Sequence, residues 1–127
     1  MKILNFLLLA FLLAATVACN KDDDAPCTDL GDTLIGSWSV TAIGLDLGDV
    51  EFKSDGTLID PDDVLIGGEV NGIVLDEKSY TVNGNTSFNT KAEKGSNSTE
   101  VEYQVSSIKC DEISISILGI GATMKRN

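Results

Sequence analysis

Leu34-Ile35-Gly36-Ser37-Trp38-Ser39-Val40-Thr41-Ala42, followed by Val50-Glu51-Phe52-Lys53-Ser54-Asp55-Gly56-Thr57, is the stretch that decides the fold. Trp38, Val40 and Ala42 alternate with Ser37, Ser39 and Thr41, and Val50 and Phe52 alternate with Glu51 and Lys53. A period of two places every second side chain on one face, so both runs read as half-buried strands. Ser54-Asp55-Gly56 supplies a turn before Thr57-Leu58-Ile59, which predicts a hairpin.

The same pattern continues outward from this start, and no window after Leu30 sustains an apolar period near 3.6. Asp60-Pro61-Asp62-Asp63 breaks the chain, because proline lacks the N–H a ladder needs and the acids favour a turn. Glu69 to Leu75 reads as a strand, with Asn71-Gly72 either a weak point in it or a tight turn. Ser79 to Val82 is a short strand ended by Asn83-Gly84, and residues 85 to 99, poor in apolar side chains, read as an exposed loop or long hairpin tip. Val101, Tyr103 and Val105 alternate, Lys109 to Asp111 turns the chain, and Ile113, Ile115 and Ile117 alternate with serines. A last strand runs through Gly121 to Lys125. The expectation is an all-β domain over residues 31–127, a small antiparallel up-and-down barrel of seven to eight short strands, with a β-sandwich as the alternative.

The glycine-x-tryptophan of Gly36 and Trp38, followed by the phenylalanine strand that turns at Asp55-Gly56-Thr57, resembles the opening of small lipocalin-like lipoproteins of the Bacteroidota type. That resemblance implies a barrel whose base is closed by the tryptophan, packed beneath a basic side chain from the last strand; Arg126 stands where this partner belongs. It also implies a carrier of a small apolar ligand. Two departures weaken the ligand implication: the threonine-aspartate-x-x-tyrosine motif of ligand barrels is missing, and roughly 95 residues make a short barrel.

Composition limits function. The 127 residues carry 20 acidic and 9 basic side chains, a net charge of -11, and no histidine. Such a charge repels phosphate backbones, so sequence-independent nucleic-acid binding is excluded. The missing histidine removes the commonest general base, the histidine triads and most zinc or copper sites. Ile3 to Ala15 is an apolar run interrupted by Asn5 and preceded by Lys2, too short to span a bilayer, which predicts an export signal over residues 1–18.

Thr16-Val17-Ala18-Cys19 resembles the lipobox of bacterial lipoproteins, although Thr16 stands where leucine is usual. The resemblance implies cleavage before Cys19, which becomes the new N-terminus and carries a diacylglycerol lipid, palmitate included, so that the lipid on Cys19 ties the protein to the membrane. Lys21-Asp22-Asp23-Asp24, directly after it, resembles the signal that sends Bacteroidota lipoproteins to the outer face of the outer membrane; an inward, periplasmic orientation is the alternative. Residues 19–30 then form a lipidated N-terminus and acidic linker. With Cys19 used for lipid, Cys27 and Cys110 remain as an even pair in an oxidising compartment, which predicts a disulfide.

Little else points to chemistry. Asp60, Asp62 and Asp63, with Asp46 and Asp49 nearby in sequence, suggest either an oxygen-ligand calcium site or a solvated turn, and the spacing fits the turn better. There is no nucleophile elbow, phosphate-binding glycine loop or Cys-x-x-Cys pair. No cofactor, metal or enzyme activity is expected. Asp32-Thr33-Leu34 matches the acceptor pattern of Bacteroidota O-glycosylation at Thr33. Two functions compete: a surface or accessory binding module that meets a protein partner through loops 60 to 67 and 84 to 99, and a carrier of a small apolar ligand. Eight strands enclose a space that side chains just fill, which favours the module.

Overall fold

A computed structural model describes residues 27–127. The signal segment, Cys19 and the Lys21–Asp24 run lie outside the described residues. A short helix, α1 (Leu30–Leu34), precedes β1 (Gly36–Ala42), β2 (Leu45–Phe52) and β3 (Leu58–Ile59). A small hairpin of β4 (Glu69–Val70) and β5 (Ile73–Val74) follows. Then come β6 (Glu77–Asn83), β7 (Ser87–Lys94), β8 (Asn97–Ile108), β9 (Glu112–Ile117) and β10 (Ile120–Arg126). None of the described helices is long and apolar enough to cross a membrane.

Eight strands form one antiparallel sheet in the order β3-β2-β1-β10-β9-β8-β7-β6. Apart from the pairing of β1 with β10, neighbours in space within the sheet follow one another along the chain, which is an up-and-down meander. The ring is nearly closed between β3 and β6 by an antiparallel bridge of Thr57 with Ser79, where the Tyr80 N–H donates to the Gly56 carbonyl at 2.9 Å. A single sheet curled onto itself, rather than two packed sheets, sets aside the sandwich alternative.

The predicted alternations hold on the inner face. Trp38, Val40, Val50, Phe52, Ile113, Ile115 and Met124 are at most 2% exposed. Phe52 meets Tyr80 and Phe88 edge-on, at 5.0 and 5.7 Å between centroids, and Phe88 stacks on Tyr103 at 5.3 Å. Edge-on and offset aromatic pairs of this kind each add about 0.5–1.5 kcal/mol beyond the area they bury.

In three segments the structure corrects the sequence reading or decides between its alternatives. Residues 85 to 99, predicted as an exposed loop or hairpin tip, are instead mostly strand: β7 and the start of β8, joined by a turn at Gly95. Ser87, Phe88, Thr90 and Ala92 are buried. The inward positions of β7 after Phe88 are small or hydroxylated, so the strand shows no apolar alternation. Glu69 to Leu75 takes the tight-turn alternative at Asn71-Gly72, giving a two-stranded hairpin outside the main sheet. Residues 28–30, grouped with the linker by sequence, pack at the base, since the Asp29 carboxylate caps α1 and the Leu30 N–H donates to Asn85 Oδ1 at 2.8 Å.

Candidate functional site

The base of the barrel is built around a five-residue helix. Asp29 Oδ1 accepts from the Asp32 N–H at 2.9 Å, satisfying one orphan donor of the first turn. Leu30 and Leu34, four residues apart on one face, are fully buried under the barrel floor. So short a helix leaves its last carbonyls without partners. Trp38 Nε1 donates to the Leu34 carbonyl at 2.8 Å, Arg126 Nη2 to Thr33 at 2.6 Å, and Arg126 Nη1 to Ile35 at 3.1 Å.

The same guanidinium donates through Nε to the Cys110 carbonyl at 2.9 Å and lies 4.3 Å from the centroid of the Trp38 ring. Trp38 and Arg126, the pair implied by the lipocalin resemblance, therefore come together across β1 and β10, where they are register partners. Gly36 makes room for them. A Cβ at Gly36 would stand 2.5 Å from Arg126 Nη1, and its φ of 128° lies where side chains are rarely accommodated.

Cys27 and Cys110 are joined by a disulfide with their α-carbons 5.0 Å apart, closing an 83-residue separation onto the turn between β8 and β9. Thr33 is 6% exposed, and its backbone carbonyl accepts from Arg126.

The opposite end is closed by the chain between β3 and β4. Asp60 is 3% exposed, and its carboxylate accepts from three backbone N–H groups: Val64 at 2.7 Å, Leu65 at 2.8 Å and Ile66 at 3.0 Å. The loop so gathered sends Leu65 and Ile66 into the barrel, where both are buried. There the Leu65 carbonyl accepts from Tyr103 Oη at 2.6 Å and Thr90 Oγ1 at 3.3 Å. Burial, and second the Asp60 carboxylate, push the Tyr103 hydroxyl up to about 12. Lys78 Nζ donates to the Asp60 carbonyl and to Asp63, and this bond holds the Asp63 carboxyl below its usual range.

The aspartates that suggested a cation thus do different work. Asp60 binds backbone, Asp63 pairs with Lys78, Asp49 accepts from Ser39 Oγ at 2.6 Å, and Asp46 accepts from the Gly48 N–H at 3.1 Å. Among the described residues no three acids or cysteines gather as a metal site. Of residues 60 to 67, expected to be a partner-binding loop, Leu65 and Ile66 enter the barrel as a plug, while Pro61, Asp62, Asp63 and Gly67 stay exposed at the rim. The signal for it was present in the sequence: an apolar Val64-Leu65-Ile66 run directly after an acidic turn has to be buried somewhere.

The barrel wall carries open surface depressions. One of about 450 Å³ follows the seam of β3 and β6, and one of about 400 Å³ lies against β10 beside the turns at Ile43 and Gly119. Every buried side-chain nitrogen or oxygen among the described residues has a hydrogen-bond partner. Comparison of the chain with protein-family models, with curated proteins and with solved structures returns no match.

Proposed function

We propose that the protein is a lipoprotein, tethered to the outer membrane through acyl chains on Cys19 and displayed on the cell surface, whose barrel is a non-catalytic binding module acting through its outer surface. One observation carries the module over the carrier. The barrel interior is occupied from both ends by the protein's own side chains: Leu30 and Leu34 from the base, and Leu65 and Ile66 from the rim. A drug-sized ligand asks for a pocket of about 300–1,000 Å³ with convergent polar groups. The inward hydroxyls of Thr90 and Tyr103 are already committed to the Leu65 carbonyl.

The tether reading rests on sequence: the apolar run ending at Ala18-Cys19 and the Lys-Asp-Asp-Asp that follows it. It also gives the tether a fixed point of departure, since Cys27 is covalently held at the base. Metabolic labelling with an alkyne palmitate, combined with protease treatment of intact cells, tests this reading. The native chain should carry label and be digested, Cys19→Ala should lose the label, and replacement of Asp22, Asp23 and Asp24 by alanine should keep the label but become protected. An unlabelled native chain, or one protected from protease, contradicts the proposal.

A further inference from the structure

The rim opposite the base carries apolar side chains that the fold leaves uncovered. Ile43 is 86% and Leu118 97% exposed, with Leu45 and Ile120 more than half exposed beside them. Ile43-Gly44 joins β1 to β2 and Leu118-Gly119 joins β9 to β10, and in both turns both residues have positive φ: 52° and 75°, 50° and 81°. Two-residue hairpin loops of this kind are the type I′ turns that favour Asn-Gly. This chain uses that solution at Asn71-Gly72, with φ of 52° and 80°. At the rim it instead holds a β-branched isoleucine and a leucine in the left-handed region, which their side chains disfavour, and points them at solvent. Neither folding nor solubility gains from that choice.

The two turns stand together. β1 pairs with β10, and Ile43, Gly44 and Gly119 line one open depression of about 400 Å³ floored by Gly121 and small hydroxyl side chains. Residues 39–49 and 113–124 contain no lysine or arginine, whereas Asp46 and Asp49 lie on β2, and Glu100 and Glu102 flank Leu118. Orientation adds a second constraint. Cys27 fixes the start of the domain at the base, and the eight residues from Cys19 reach about 29 Å when fully extended. With Cys19 as the anchor, the chain enters the domain at the base, so the base is the end held within that reach of its membrane and the rim is the end farther from it.

We propose that the Ile43-Gly44 and Leu118-Gly119 turns are a docking surface for another protein, received in an apolar cleft edged by lysine or arginine side chains. Acids around the turns repel an anionic leaflet and a second copy of the same rim alike. The inference deepens the binding-module reading and depends on the Cys19 anchor for the direction the rim faces.

The test uses the full chain in its host, with a benzophenone side chain introduced at Ile120 and, as a control, at Lys109 of the base. The Ile120 probe should give one protein adduct that the Lys109 probe does not. Its attachment site should map to apolar residues next to lysine or arginine, and its yield in isolated envelopes should fall as ionic strength rises. Ile43→Asn combined with Leu118→Asn should lower the yield at least tenfold without lowering the melting temperature, because Asn-Gly suits these turns. Adducts to lipid, to a second copy of this chain or to nothing overturn the docking surface, as do a yield indifferent to salt and an adduct that survives the double variant. A fall in melting temperature overturns the argument from turn strain. The anchor fails separately: an Ile120 adduct on a chain without acyl label keeps the docking surface and refutes the tether, whereas an acylated chain without an adduct does the reverse.

Discussion

Arg126 holds three backbone carbonyls and the Trp38 ring at once, so its loss removes more than one contact. Arg126→Met keeps the aliphatic stem but leaves the Thr33, Ile35 and Cys110 carbonyls to water. Because the side chain is partly in solvent, the expected cost is about 2 kcal/mol rather than the sum of three charged hydrogen bonds, read as a lower urea midpoint at unchanged slope. Gly36→Ala should cost about 1–3 kcal/mol, from a strained φ and a Cβ driven onto the same guanidinium. Tyr103 makes a pH prediction. Its neutral hydroxyl is favoured in the fold, where it ionises at about 12, while an unfolded tyrosine ionises near 10. Its contribution to stability is therefore whole below pH 10 and is lost as pH rises toward 12, about 3 kcal/mol in all. Denaturation curves between pH 9 and 12 should show that fall, and Tyr103→Phe should flatten it. The Trp38–Arg126 pairing was implied before the structure by the lipocalin resemblance of the first strands. Gly36 was legible only as part of a motif, because its reason is a side chain ninety positions away in sequence.

At the scale of elements, strands whose inner positions are large and apolar announced themselves, and those with small or polar inner positions did not. β1, β2, β8 and β9 were readable from Trp38, Val50, Phe52, Tyr103 and the Ile113–Ile117 alternation. β7 was not, because Thr90 and Ala92 occupy its inner face and Thr90 is satisfied by a carbonyl from a distant loop. That loop was misjudged for a related reason. Asp60 looks like one of several solvated acids in a turn, yet it is the acceptor around which residues 64–66 fold inward. Asp60→Ala should destabilise the domain by about 2–4 kcal/mol, since it strands three N–H groups together, two of them buried. Hydrogen exchange of the Val64, Leu65 and Ile66 amides should accelerate well before that of β1 or β9. Protection unchanged at those three amides would remove Asp60 from this role.

For the molecule as a whole, the disulfide and the filled interior are the two sources of strength in a domain of about a hundred residues. Closing an 83-residue loop stabilises by about 4–5 kcal/mol in the chain-entropy model. Against a typical domain stability of about 5–15 kcal/mol, that is a large share. Cys27→Ser with Cys110→Ser should therefore lower the melting temperature by about 15 °C or more, with the barrel still forming in the cold. The pairing was legible from cysteine parity and the antiparallel all-β fold from turn spacing, whereas the choice of barrel over sandwich came from the lipocalin resemblance. What covers the two ends of the barrel was not, because plugging depends on where a helix of five residues and an acid-led loop meet side chains far along the chain. The binding-module reading stands on a barrel filled by its own side chains. Native mass spectrometry of the full-length protein, purified from its own host in detergent and then stripped of it, measures that directly. The expected mass is that of the chain with the proposed covalent lipid and no further component; a stoichiometric non-covalent apolar adduct that survives detergent exchange would contradict a filled interior.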